Sequence, residues 1–228
     1  MLARFTLTNV ANLIEQELEN ALGHARPVAT LLTQVIVDPA DPAFAQPSKP
    51  VGPLYSEVEA RRLSAAHGWA VVPEGAAWRR VVPSPMPQEI PDLSVIRLLL
   101  VKGVVVICAG GGGVPVIRQP DGSLTGVEAV IDKDHASRLL AQGIGANALL
   151  MLTDVDGVQQ DFGAPSALRI PKLTATAAKA MALPAGSMAP KVAAGLEFVH
   201  GGGLIAGIGR MEDAAAILEG AAGTLISI

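Results

Sequence analysis

Residues 104–157 hold the pattern that most restricts this chain. An apolar strand over 104–109 runs into four consecutive glycines, Gly110, Gly111, Gly112 and Gly113. The cluster Asp132-Lys133-Asp134 follows, then a second apolar strand that ends in Thr153-Asp154-Val155-Asp156-Gly157. Four glycines after a buried strand cost chain entropy, which is tolerated where backbone must approach something closely. The carboxyl end of a strand is where open α/β sheets bind ligands, and successive N–H groups there can cradle an anion. The charged turn nearby makes a phosphate-bearing small molecule the ligand class this stretch suggests.

The rest of the chain extends the same alternation. Helices are predicted over 94–101, 134–142, 175–183, 190–200 and 211–219. Strands are predicted over 148–153, 204–207 and 223–228. Continuous apolar strands alternating with helices imply a largely parallel sheet covered on both faces. Upstream, Val10, Leu13, Ile14, Leu18 and Leu22 mark one face of a helix over 9–22. Residues 28–37 (VATLLTQVIV) read as one buried strand. Pro39, Pro42, Pro47, Pro50 and Pro53 then crowd a segment expected to hold little regular structure. A helix over 55–67 stops at Gly68. We read residues 38–83 as an inserted, protruding subdomain or lid on a single domain spanning 1–228.

Composition narrows the functional classes. Aromatics are 3% of the chain and the formal net charge is −4, unlike the basic, aromatic-studded surface of a nucleic-acid binder. No apolar run is long enough to span a bilayer, and the first residues lack the pattern of a signal peptide. The lone Cys108 lies in an apolar strand and reads as an inert thiol in a reducing compartment. A cytoplasmic location is expected.

Several motifs carry both a bland and a chemical reading. The glycine run is also a turn into a strand at 114–117. Asp134 suits a helix N-cap, and Lys133 a solvated ion pair. Lys191, in Gly186-Ser187-Met188-Ala189-Pro190-Lys191-Val192, is expected in the first turn of a helix, where the dipole disfavours a cation. It either snorkels to water or meets an anion. Lys49 in Pro47-Ser48-Lys49-Pro50 is a lone cation in a rigid frame. Arg79 and Arg80 either bind anions or pair with Glu57 and Glu59. Gly143-Ile144-Gly145-Ala146-Asn147-Ala148 ends a helix, so it reads as a turn rather than a dinucleotide fingerprint. The P-loop pattern, metal-ligand histidine spacing and a GxSxG elbow are absent from the sequence.

In order along the chain, VDPADPAFAQPSKPVGPLYSEVEA, WRRVVPSP, AGGGGVPV, GVEAVIDKD, LLAQ, LTDVDGV, GSMAPKV and AAGT resemble the carbamate kinases of the amino-acid-kinase family. The resemblance implies a three-layer α/β/α sandwich with a mainly parallel sheet and a proline-rich protruding subdomain. It implies reversible phosphoryl transfer from carbamoyl phosphate to ADP, giving carbamate and ATP with Mg²⁺, in a homodimer. By motif, Lys133 and Lys191 would neutralise phosphate oxygens, Asp134 would orient the lysines, and Lys49 would descend from the lid toward carbamoyl phosphate. The turn of Gly110, Gly111, Gly112 and Gly113 would line the transferring-group side. Thr153, Asp154 and Met188 would border the nucleotide. That family begins with a strand and GGNAL-type turn, then a GNGPQVG-type segment, and neither occurs in this sequence. The chain therefore reads as a member lacking that first segment. Its rival readings are an inactive remnant that binds nucleotide or serves as an assembly subunit, and a different acyl-phosphate kinase of the same fold.

Overall fold

A computed structural model describes residues 2–23, 25–181 and 188–227. The chain divides into two compact units, residues 1–92 with 99–133, and residues 93–98 with 134–228. The end of the helix expected over 175–183, the last residue of the strand expected over 223–228, and Gly186 and Ser187 lie outside the described residues.

The first unit opens with the helix Leu2–Leu22. The expected apolar face divides. Leu18 and Leu22 are half-buried, whereas Val10, Leu13 and Ile14 stand exposed. The single strand expected over 28–37 is two strands. Val28–Thr30 pairs in parallel with Val105–Ile107, and Gln34–Val37 pairs in parallel with Val114–Arg118. The break lies at Thr33, whose hydroxyl donates to Leu31 O at 3.1 Å and accepts the Ala109 N–H at 2.9 Å. Antiparallel strands Pro87–Glu89 and Leu124–Gly126 complete the second sheet. Val35, Val37, Val116, Ile90 and Ile131 are fully buried in this unit.

The proline-rich insertion is more regular than its sequence suggests. Lys49–Tyr55, Ala77–Val82 and Ala70–Glu74 form an antiparallel sheet in that order, joined through the helix Glu57–His67. The three prolines within this sheet, Pro50, Pro53 and Pro73, lie on its two edge strands, where a missing N–H breaks no ladder. A register shift between Val51 and Leu54 is made at Gly52, whose φ is +73°. Ser56 caps the helix and Gly68 ends it in the left-handed conformation.

The second unit is built on the strand order 148–153, 205–210, 224–226, 172–173. The first and last pairs are parallel and the middle pair antiparallel. Successive residues of Ile205–Arg210 face opposite sides. Ala206 meets the helix Met188–His200 at Gly195, and Gly207 and Gly209 meet Ile217 of the helix Ala214–Leu218. Helices therefore cover both faces of this sheet. Phe198, Val192, Ala194, Met151, Ile208 and Ile226 form its core.

Candidate active site

In the first unit, the glycine run begins where the buried backbone is already constrained. Ala109 has φ +59°, and the Gly112 N–H closes a turn onto Ala109 O at 2.8 Å. Gly112 has φ +122°, and a Cβ there would lie 2.1 Å from Ile131 O. Only glycine lets this turn lie against the segment that delivers Asp132 and Lys133. Gly113 is equally confined, 2.4 Å from Val35 Cγ2 by the same measure. Gly110 and Gly111 are exposed, leaving the tip of the turn open to solvent. The alternative reading holds in part as well, because residues 114–118 do form a strand with a turn through Gly122 to Leu124–Gly126.

Lys49 starts the edge strand of the inserted sheet, in register with Val82. Its ammonium donates to Asp132 Oδ2 at 2.7 Å. Sequence reasoning did not single out Asp132 as the partner of Lys49. Its position inside the Asp-Lys-Asp triplet was the only available signal, and nothing local distinguishes a residue that a lysine 83 positions away will reach. Lys133, exposed, opens the helix Lys133–Ile144. The arginines do not pair as expected. Arg61 and Arg62 take Glu57 and Glu59, while Arg79 pairs with Glu74 and Arg80 with Glu128, its guanidinium stacked over Trp69.

In the second unit, Asp134 lies within the first turn of that helix rather than at its cap. It is 5% exposed. Both its oxygens accept from Lys191 Nζ, at 3.0 and 2.9 Å, and Lys191 is 4% exposed. Snorkelling is thereby excluded for Lys191; the anion that offsets its unfavourable place in the helix is Asp134. Met188, one turn earlier, packs against the Phe198 core. Thr153 ends the strand Ala148–Thr153, and its hydroxyl donates to the exposed Asp154 at 3.1 Å. The following loop is stapled by Thr224, fully buried, whose Oγ1 accepts the Val158 N–H at 2.9 Å and donates to Ile170 O at 2.6 Å. Gly157 fits because a Cβ there would lie 2.7 Å from that oxygen.

The first unit thus holds the pair Lys49–Asp132 and the second the pair Lys191–Asp134. Among the described residues, no three His, Cys, Asp or Glu side chains gather to hold a metal ion. Burial, and secondarily the Asp92 carboxylate, push the Cys108 thiol above its usual range, so it is a poor nucleophile. No helix among the described residues is long and apolar enough to cross a membrane.

The parallel strands alternating with helices define an α/β protein, and its relatives specify which. The profile of the Amino acid kinase family matches residues 12–208, so the chain belongs to that family. It is 43% identical over 218 residues to carbamate kinase of Haemophilus influenzae, spanning 96% of this chain and 70% of that relative. It is 46% identical over 220 residues to carbamate kinase of Rhizobium meliloti, spanning 96% of this chain and 68% of that one. Carbamate kinase from Giardia lamblia bound to AMP-PNP superposes with a TM-score of 0.89 at 35% identity, over 99% of this chain and 74% of its own. These likenesses place the chain among phosphotransferases of the carbamate kinase type.

Proposed function

We propose that this chain transfers a phosphoryl group reversibly between carbamoyl phosphate and ADP. The bond from phosphorus to the carbamoyl oxygen breaks, carbamate leaves with its electrons, and an ADP β-phosphate oxygen bonds to phosphorus. The observation that carries the reading is the Lys191 ammonium, buried and clamped by both oxygens of Asp134. Phosphoryl transfer depends on positioning and charge neutralisation more than on covalent chemistry, and a fixed ammonium supplies both. Lys49 and Lys133 add movable positive charge for the transferring oxygens. The exposed turn tip at Gly110 and Gly111 lines the transferring-group side, and Thr153, Asp154 and Met188 border the nucleotide. Mg²⁺ enters with the nucleotide, held by phosphate oxygens and water, a mode that needs no cage of protein carboxylates. The protein works in the cytoplasm as a homodimer, a reading supported by its inert single thiol and by the exposed stripe Val10, Leu13 and Ile14.

The test is ATP formation from carbamoyl phosphate and ADP by the purified chain with Mg²⁺. Turnover well above the uncatalysed background is expected. ADP binding without turnover defeats the enzyme reading and favours the assembly-subunit reading, to which the same exposed stripe also speaks.

A further inference from the structure

We propose that Asp132 is a positioning residue that holds Lys49 and yields it to the phosphate of the anionic substrate. The inference rests on the phosphotransfer reading and deepens it.

Both ends of the Lys49–Asp132 contact are anchored in the first unit. Lys49 is fixed at the backbone by its pairing with Val82 and by the Ser48 N–H on Val82 O at 3.2 Å. Asp132 follows Ile131, which is 1% exposed and lies against Gly112. The Val130 N–H donates to Pro83 O at 2.9 Å, tying the same segment to the end of the inserted sheet. The two side chains close the gap between these backbones. Their contact, at 2.7 Å, aims the ammonium at the residue directly before Lys133.

The two carboxylates of the Asp-Lys-Asp triplet hold their lysines in different environments. The Asp134 and Lys191 side chains are 8% and 5% exposed, and desolvated charges of that kind stay paired. The Lys49 side chain is 35% exposed and the Asp132 side chain 14%, so water already reaches the ammonium. A pair of that kind is weak enough to be exchanged. A phosphate, with more charge and three acceptor oxygens, outcompetes one carboxylate for the same ammonium. Asp134 is thus the permanent partner and Asp132 the exchangeable one.

Competitive trace labelling with acetic anhydride, read by mass spectrometry, tests the hold without requiring turnover. Lys102, exposed, is the internal reference. In Asp132→Asn, labelling of Lys49 relative to Lys102 should rise about fivefold, the equivalent of losing about 1 kcal/mol of pairing. In Asp132→Glu it should stay near the wild-type ratio. Equal labelling in wild type and Asp132→Asn overturns the inference. Kinetics test the hand-over: because the pair is given up when phosphate binds, Asp132→Asn should lower KM for carbamoyl phosphate up to about fivefold, with kcat within about threefold. It should have no effect in a Lys49→Ala background, because the two act through one ammonium. A raised KM, or an effect that persists in Lys49→Ala, rejects the hand-over. A wild-type chain without turnover defeats the phosphotransfer reading itself, while the labelling ratio still decides whether Asp132 holds Lys49.

Discussion

Lys191 sits where a helix least tolerates a cation, in the first turn of Met188–His200, and it is almost wholly removed from water. Neither condition is stable alone. The bidentate contact with Asp134 offsets both. Removing one member of such a pair strands the other charge, which costs about 3–5 kcal/mol, whereas replacing both with apolar groups of similar size is close to neutral. Asp134→Ala should therefore lower the unfolding free energy in urea by about 3–5 kcal/mol, and Asp134→Ala combined with Lys191→Met should recover most of it. An unchanged urea midpoint in Asp134→Ala would show that the pair is not buried in solution. Turnover should behave differently. Losing one fixed charge-stabilising group costs about 10²- to 10³-fold in kcat, so the double variant should stay slow although it is stable. Recovery of both stability and rate would remove Lys191 from the chemistry. The sequence showed this residue's awkward position but not its partner. Asp134 lies 57 residues away, and only the fold closes that distance.

The glycine turn shows the same division at the scale of an element. Four adjacent glycines are conspicuous in the sequence, yet they are not equivalent. Gly112 and Gly113 are needed for close approach, to Ile131 and Val35 respectively, whereas Gly110 and Gly111 form the open tip. Gly112→Ala would force a backbone contact of 2.1 Å to open and would strain a φ of +122°. Together these should cost about 2–4 kcal/mol, seen as a fall of roughly 5–15 °C in thermal midpoint. Gly122→Ala, at a φ of +86° in open space, carries only the conformational cost of about 1 kcal/mol. Equal effects of the two substitutions would mean that the turn does not lie against Ile131. Other elements were less legible. Nothing in VATLLTQVIV marks a break, because it arises from Thr33 bonding to Ala109 and from two halves that pair with different strands. The prolines at 50 and 53 argued against regular structure, and they are tolerated because the strand Lys49–Tyr55 lies at a sheet edge. Strand 148–153 was readable in full because it is an apolar run set between helices, whereas the strand at 205–210 was expected only over 204–207, because Gly209 and Arg210 break its apolar pattern.

At the scale of the molecule, the apolar surface of the first unit is incompletely covered. The helix Leu2–Leu22 turns Leu18 and Leu22 inward, but Val10 is 52%, Leu13 58% and Ile14 45% exposed. An apolar groove lined by Ala11, Leu31, Leu32, Ile107 and Cys108 lies in the same unit, and Leu32 is itself 62% exposed. Thr30 Oγ1, on the strand beside it, is buried without a hydrogen-bond partner among the described residues. Exposed apolar surface of this kind occurs at association faces and at ligand grooves. A second copy of the chain is the partner that the homodimer reading supplies. Sedimentation velocity in the micromolar range should then give twice the 23.4 kDa chain mass. Leu13→Glu should shift the protein toward the monomer, weakening association at least about tenfold, because burying an unpaired carboxylate in that face costs more than about 1.4 kcal/mol. The same substitution in a free monomer replaces an exposed side chain and should change stability by no more than about 0.5 kcal/mol. The two measurements therefore separate association from folding. A wild-type chain that sediments as a 23.4 kDa species at every concentration, with Leu13→Glu indistinguishable from it, would show that this face is not covered by a second copy.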